Sequence, residues 1–111
     1  MVNISDVNDI VTKVRNSDHI IIPRRRFNDK NEQTRNLLGI TYNDQVDLVR
    51  SIDAKNYYQG PLGDRDSQRG GVLWIFKKEA YGEMFYIKFK YKADDNSVIA
   101  ISCHLNGMCE E

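Results

Sequence analysis

The strongest constraint in this sequence is a strict alternation of side-chain types in residues 85–92, which read FYIKFKYK. Successive side chains of a β-strand point to opposite faces, so the alternation predicts a strand that is buried on one side and solvated on the other. Such a strand is stable only in a sheet whose apolar face is covered. The apolar set comprises Phe85, Ile87, Phe89 and Tyr91, and the opposite set comprises Tyr86, Lys88, Lys90 and Lys92.

Two further strands are predicted at residues 72–78 and 98–105, and tight turns at residues 80–82 and 93–96 join them to the strand at 83–92. Short turns imply antiparallel pairing. In the last strand the alternation assigns Ile99, Ile101, Cys103 and Leu105 to the core, opposite Val98, Ala100, Ser102 and His104. A register that buries both apolar sets gathers a polar group on the outer face, namely Tyr86, Lys88, Lys90, Ser102 and His104. Residues 72–76 are apolar on both faces, so Trp74 could face either the core or that outer face.

The first half of the chain has the patterns of helices and of one short strand. Ser5 is a predicted N-cap for a helix whose apolar stripe is Val7, Ile10, Val11 and Val14. The β-branched run at residues 19–22 is ended by Pro23, which predicts an edge strand.

Two more helices are predicted before the sheet. Asn28 begins a polar helix that ends at Leu38, followed by Gly39 as a C′ glycine. Thr41 and Asp44 resemble a capping box for a third helix. The expected buried residues of that helix are Val46, Val49 and Ile52, and Asp53 is expected to cap a last turn that carries Tyr57 and Tyr58.

Helices followed by consecutive strands indicate an α+β fold, in which N-terminal helices pack on a mainly antiparallel sheet. The length of 111 residues predicts a single domain at 1–111. Residues 59–71 are rich in glycine and charge and predict a long polar loop, which in a domain of this size is usually functional or mobile. The acidic end, about residues 106–111, is expected to be flexible.

Composition indicates a globular domain outside the membrane. Hydrophobic residues make up 41% of the chain, which argues against disorder. The longest apolar run is residues 72–76, whereas a membrane helix needs about 20 residues. The first residues have neither the basic nor the apolar region of a signal peptide, so a cytoplasmic location is expected. Cys103 and Cys109 are expected to be free thiols, and their spacing with His104 matches no standard metal site.

The charged residues are unevenly distributed although the net charge is zero. Residues 23–38 carry five basic and two acidic side chains, and so do residues 71–92. These two blocks could converge on one basic face that suits a polyanion, or they could simply be the solvated faces of ordinary elements.

The tyrosine, lysines and histidine of the outer face would suit RNA cleavage without a metal ion. That reaction needs a base for the ribose 2′-hydroxyl, an acid for the leaving 5′ oxygen and cations beside the phosphate. Histidine titrates near neutral pH, and lysine can neutralise a phosphate. A surface histidine that only forms hydrogen bonds is the competing interpretation of His104.

Several motifs together resemble one known family. The segments are IIIPRR (20–25), LLGIT (37–41), YYQGPLGDRD (57–66), VLWIFKK (72–78), FYIKFK (85–90) and VIAISCH (98–104). In this order, across about residues 5–105, they are similar to the MqsR-type toxins of bacterial type II toxin–antitoxin systems. The resemblance implies a RelE-like fold, an mRNA endoribonuclease that acts without a cofactor or metal ion and blocks translation, and a cognate antitoxin as protein partner.

The resemblance also suggests roles for particular residues. It places Tyr86, Lys88 and His104 in the catalytic site, and the RNA-binding residues are expected to be Arg24, Arg25, Arg26, Lys77, Lys90 and Trp74. Trp74 would stack on a base if its ring is exposed. The chain departs from the family pattern at Gln59, where a lysine is usual, and at Ile75, where a glutamine is usual.

The alternative function is a non-catalytic module that binds RNA or protein through the same lysine-rich face. His104 discriminates between the two hypotheses, because a surface used only for binding gains little from a group that titrates near neutral pH.

Overall fold

The fold is an α+β arrangement of three helices and five strands within the described part of the chain. The computed structural model describes residues 2–63 and 71–108. The elements in chain order are α1 (Ile4–Arg15), β1 (His19–Ile21), α2 (Lys30–Leu38), α3 (Tyr42–Arg50), β2 (Tyr57–Gly63), β3 (Val72–Ala80), β4 (Glu83–Lys92) and β5 (Ser97–Leu105). None of the helices in these residues is long and apolar enough to cross a membrane.

The strands form one sheet in the order β1-β5-β4-β3-β2. All neighbours are antiparallel except β1, which runs parallel to β5 at the edge of the sheet. The predicted α+β class with a mainly antiparallel sheet and the predicted edge strand are therefore confirmed. Between β3 and β4, Tyr81 and Gly82 both have positive φ angles, 55° and 73°. Two such residues form the tight turn whose twist matches an antiparallel hairpin.

One face of the sheet is covered by α1 and α3, and the core lies between them. The predicted stripe of α1 is buried there, together with Phe85, Ile87 and Phe89 of β4. The N-cap of α1 is Asn3 and not the predicted Ser5, because the Asn3 side chain accepts the backbone N–H of Asp6 at 3.0 Å. Asparagine is at least as good an N-cap as serine, and the helix begins two residues earlier than expected.

The alternation predicted for β5 is wrong in its first half because the strand contains a bulge. Lys88 pairs with Ser102, whereas the next residue of β4, Phe89, pairs with Ala100. Ile101 is therefore an extra residue, and the facing of β5 inverts there. Cys103 still faces the core as predicted, but Val98 and Ala100 take the core places that were assigned to Ile99 and Ile101.

The turn predicted after Asp53 is confirmed as a short 3-10 helix, Ala54–Asn56, with Asp53 as its N-cap, but a strand follows it where the end of the turn and the polar loop were predicted. Tyr57 and Tyr58 belong to β2, which runs to Gly63, and residues 64–70 of the predicted loop lie outside the described residues. The Tyr57 ring packs edge-on against the rings of Trp74 and Phe76, with centroid distances of 6.3 Å and 5.9 Å. These contacts hold this segment against β3. Gly60 has a φ of 127°, and a Cβ there would lie 2.8 Å from the carbonyl oxygen of Leu73, so only glycine fits.

The polar helix α2 begins at Lys30 and buries polar side chains. Asn28, the predicted first residue, has a φ of 53° and lies outside the helix, and Asp29 is the N-cap. The buried residues of α2 are Asn31 and Thr34. The capping box at Thr41 and Asp44 is confirmed in α3, but the buried face of α3 also includes Gln45 and Leu48, whereas Val46 is only partly buried.

These buried polar side chains serve as hydrogen-bond partners for the edge of β5. β1 pairs only with residues 97–99 of β5. Beyond them, the Asn31 amide donates to the carbonyl of Ile101 at 3.1 Å and accepts the N–H of Cys103 at 2.7 Å. Gln45 donates to the carbonyl of Cys103 at 2.9 Å, and the Thr34 hydroxyl accepts the N–H of Leu105 at 3.3 Å.

The described part of the chain ends shortly after β5. Residues Asn106–Met108 form a short 3-10 helix, and the Thr34 hydroxyl contacts the Met108 sulfur at 3.4 Å. Residues 109–111, including Cys109, lie outside the described part of the chain.

Replacing Asn31 with alanine is expected to destabilise the fold by roughly 2–4 kcal/mol, because two buried backbone groups of β5 lose their partners. Asn36→Ala is the matched control, since Asn36 is exposed on the same helix and the change in helix propensity is the same. Urea unfolding of both variants measures the difference. Equal free energies of unfolding would show that the edge of β5 does not depend on Asn31.

Candidate functional site

Two rows of side chains cross the outer face of the sheet, opposite α1 and α3. Lys77 of β3 lies beside Tyr86 of β4, which lies beside His104 of β5. In the next row Lys88 lies beside Ser102. Directly paired residues share a face, so the predicted placement of the polar group on one outer face is confirmed.

A cavity of about 320 Å³ opens between this face and the beginning of α2. β4 and β5 form its floor, and the segment from Arg25 to Asn31 forms its wall. The residues that line it are Arg25, Asn28, Asp29, Lys30, Asn31, Tyr86, Lys88, Ile101, Ser102 and His104. The two basic blocks of the sequence therefore meet here, since Arg25 and Lys30 come from one and Lys88 from the other.

The wall of the cavity is a tight turn closed by one carboxylate. Asp29 accepts the backbone N–H of Arg25 at 3.1 Å through one oxygen and the N–H of Glu32 at 3.0 Å through the other. Both carboxylate oxygens are thereby engaged with the backbone, and the first two residues of α2, Lys30 and Asn31, also line the cavity. The cationic side chains of Arg25 and Lys30 make the cavity suitable for an anion.

His104 lies at the base of the cavity with only 5% of its surface exposed. Its ring stacks on that of Tyr86, with centroids 5.5 Å apart and planes 19° from parallel. Its Nδ1 lies 3.0 Å from the carbonyl oxygen of Leu105. A carbonyl oxygen can only accept, so Nδ1 must carry the hydrogen, and in the neutral ring Nε2 then keeps its lone pair.

Burial lowers the pKa of His104 below its ordinary value, because an imidazolium ion is poorly solvated there. The hydrogen bond to Leu105 acts in the opposite direction, and the nearby charges of Lys30, Lys88 and Arg25 lower the pKa further. Burial and the nearby cations thus favour the neutral form of the ring. A neutral imidazole with its lone pair on Nε2, next to cations that can hold an anion, can accept a proton from a bound anionic substrate.

The structure brings some of the predicted site residues to the cavity and leaves others elsewhere. Tyr86, Lys88, His104 and Arg25 line it. Arg24 and Arg26 are exposed in the same segment as Arg25. Lys77 and Lys90 lie on the outer face beside it, and the Lys77 ammonium sits 3.8 Å from the ring centroid of Tyr58.

Trp74 is not on the outer face. It pairs with the inward-facing Phe89, belongs to the core and is 7% exposed. Its ring is covered by Tyr57 and by the core, so base stacking on Trp74 does not fit the structure, and that prediction is wrong.

Lys30 and Asn31 are site residues that the sequence reasoning missed. Both belong to α2, and their place beside β5 depends on a contact between residues about 70 positions apart, which no local pattern reveals. Buried asparagine in a polar helix has the same appearance in the sequence as a solvated one.

The side chains of Cys103 and His104 lie on opposite faces of the sheet. The Cys103 side chain faces the core, and burial raises the pKa of its thiol to about 12. Within residues 2–63 and 71–108, no three histidine, cysteine or acidic side chains are grouped as a metal site.

Comparison with protein-family models, with curated protein sequences and with solved structures finds no match for this chain.

The pKa of His104 is expected to lie below about 6.5, and replacing Lys88 with methionine is expected to raise it by removing a nearby positive charge. NMR titration measures both values, with His104→Gln to assign the signal. His104 takes up a proton near pH 6.5 in the unfolded chain and only at a lower pH in the folded chain. The free energy of unfolding therefore decreases as the pH falls through this interval. That loss should be absent in His104→Gln. A titration midpoint above 6.5 would contradict the described environment.

Proposed function

We propose that this protein is an endoribonuclease that cleaves single-stranded RNA without a metal ion. The observation that carries the proposal is the His104 ring, whose Nδ1 lies at hydrogen-bond distance from the carbonyl of Leu105 and so leaves the lone pair of the neutral form on Nε2, in a cavity lined by Arg25, Lys30 and Lys88. This combination places a base and three cations around one small volume. An RNA phosphate with its neighbouring 2′-hydroxyl has the charge and the acidic proton that such a site needs.

In the proposed reaction, Nε2 of His104 takes the proton of the ribose 2′-hydroxyl. The 2′ oxygen then forms a bond to phosphorus while the bond to the 5′ oxygen of the next nucleotide breaks. Tyr86, whose side chain lines the same cavity, is the proposed donor of a proton to that leaving oxygen. The products are a 2′,3′-cyclic phosphate and a 5′-hydroxyl, so atoms and charges balance.

The cations contribute most when the phosphorus becomes pentacoordinate and its oxygens carry extra negative charge. Arg25, Lys30 and Lys88 would hold the phosphate in the ground state and bind it more strongly in the transition state, which is the condition for accelerating the reaction. The backbone that carries Lys88 and Arg25 is held in place before substrate arrives, since Lys88 is on a central strand and Asp29 closes the turn that contains Arg25.

The family resemblance supports the same proposal and extends it. It suggests a RelE-like fold and the role of a toxin that cleaves mRNA, inhibits translation and is held inactive by a cognate antitoxin. The α+β architecture with a mainly antiparallel sheet is compatible with this proposal. The antitoxin partner and the cytoplasmic location stay predictions from the sequence.

A non-catalytic RNA-binding module is the second candidate. The observation that favours it is the burial of Tyr86, which is only 4% exposed and so offers little surface to a substrate. The same cations would then bind phosphates without cleavage.

The test of the function is incubation of the purified protein with a long unstructured RNA in the presence of EDTA. We expect cleavage to continue and to leave 2′,3′-cyclic phosphate ends, identified by mass spectrometry. Cleavage that stops with EDTA and returns with Mg²⁺ would overturn the mechanism. RNA binding without any cleavage would favour the second candidate.

His104→Gln is expected to slow cleavage by about 10²–10⁴-fold, because it removes the proton acceptor. RNA affinity should stay nearly unchanged, since a neutral ring contributes no charge to phosphate binding. Lys88→Met should reduce both cleavage and affinity. His19→Gln is the matched control, because His19 is exposed on β1, away from the cavity. Single-turnover kinetics, filter binding and melting temperatures distinguish these effects, and a wild-type rate for His104→Gln would remove His104 from the site.

A further inference from the structure

Phe27 is the most exposed large hydrophobic side chain in the described residues, with 75% of its surface accessible. An isolated apolar side chain on a surface needs no special explanation. The surroundings of Phe27 are unusual, however, because it lies in the segment that forms the wall of the cavity. Arg25, two residues before Phe27, and Asn28, the residue directly after it, both line that cavity.

The residues that precede Phe27 in the chain are cationic. Three consecutive arginines, Arg24 to Arg26, precede it, and all three are exposed. The guanidinium carbon of Arg26 lies 5.5 Å from the centroid of the Phe27 ring. An exposed aromatic ring among cations beside a basic cavity is the combination that proteins use to bind single-stranded nucleic acid.

The turn that carries Phe27 is held in place by the rest of the fold. Asp29 accepts the N–H of Arg25 at 3.1 Å and that of Glu32 at 3.0 Å, so it links the two ends of the turn. Asn31, two residues later, is bonded to the backbone of β5. The backbone that carries the exposed ring is therefore part of a segment that lines the cavity and is anchored to the sheet, which limits the entropy lost when a ligand binds.

We propose that Phe27 is a stacking platform for one base of single-stranded RNA, next to the phosphate bound in the cavity. The proposal rests on the proposed function for the identity of the ligand. It gives Phe27 the role that the sequence analysis assigned to Trp74, whose ring the core covers. Any base has a flat π face, so Phe27 contributes affinity and position with little sequence preference.

RNA fits this rim better than an apolar protein surface does. An apolar partner that docked on Phe27 would also contact the three arginines, which have no favourable interaction with an uncharged surface. The arginines therefore favour a polyanion as the ligand. RNA supplies both the phosphates for the arginines and the base for the ring.

The test measures binding of a fluorescent 2′-O-methyl RNA of about 12 nucleotides, a length within known site sizes. This oligonucleotide has no 2′-hydroxyl and cannot be cleaved. Phe27→Ala should bind it about 5- to 100-fold more weakly, and Phe27→Trp should bind at least as tightly as the wild type. Phe27→Leu, which is apolar but has no ring, should resemble alanine. Leu37→Ala is the control, since Leu37 is 67% exposed on α2.

A series of oligonucleotides with one abasic position each identifies stacking directly. At the stacked position, loss of the base should weaken RNA binding to the wild type as much as Phe27→Ala weakens binding of the intact RNA. Combining the abasic RNA with the Phe27→Ala variant should reduce the affinity no further than either change alone. Unchanged affinity of Phe27→Ala, or an equal penalty at every abasic position, would overturn the proposal. Unchanged RNA affinity with loss of a protein partner would also overturn it and would identify a protein interface.

Failure of this inference can be distinguished from failure of the proposed function. If the wild type cleaves unmodified RNA while Phe27→Ala binds normally, the endoribonuclease stands and the platform is wrong. If the abasic series identifies a stacked base but unmodified RNA stays intact, the platform stands and the catalytic proposal is wrong.

Discussion

The structure depends on how the exposed edge of β5 finds hydrogen-bond partners. β1 covers only residues 97–99, and buried backbone groups beyond that point cannot be left unpaired without a large cost. Asn31 both donates to and accepts from the backbone of β5, and Gln45 donates to it, so these two amides take the place of a neighbouring strand. The acceptor of Gln45 is itself bonded to Arg35 at 2.7 Å, so the network ties α2 and α3 to each other and to the sheet.

This edge contact also creates the candidate site. Because Asn31 anchors the first turn of α2 to β5, the preceding turn lies over the outer face and brings Arg25 beside His104 and Lys88. The bulge at Ile101 has a complementary effect, since it lets Val98 and Ala100 fill the core while Ser102 and His104 keep facing outward. In a regular strand all four of these residues would lie on the same face, so either the core would lose Val98 and Ala100 or the outer face would lose Ser102 and His104.

The electrostatics of the cavity differ from those of the whole molecule. The chain has no net charge, yet Arg25, Lys30 and Lys88 surround a histidine whose pKa is lowered by burial and by these cations. Long-range attraction of RNA to a neutral protein is weak, so affinity must arise from local contacts with phosphates and bases. A small basic cavity and an exposed aromatic ring at its rim are contacts of that kind.

The sequence by itself determined the elements whose signal is local. The alternation of β4, the stripe of α1, the capping box at Thr41 and the tight turn at Tyr81 and Gly82 each reflect side-chain periodicity or backbone preference within a few residues. It also placed Tyr86, Lys88 and His104 on one face, because pairing of neighbouring strands follows from their apolar sets. Only the tertiary structure decided the bulge in β5, the strand β2, the core position of Trp74 and the burial of Asn31 and Gln45. Each of these depends on contacts between distant parts of the chain, for which the apolar run 72–76 and the polar helix α2 carry no local signal.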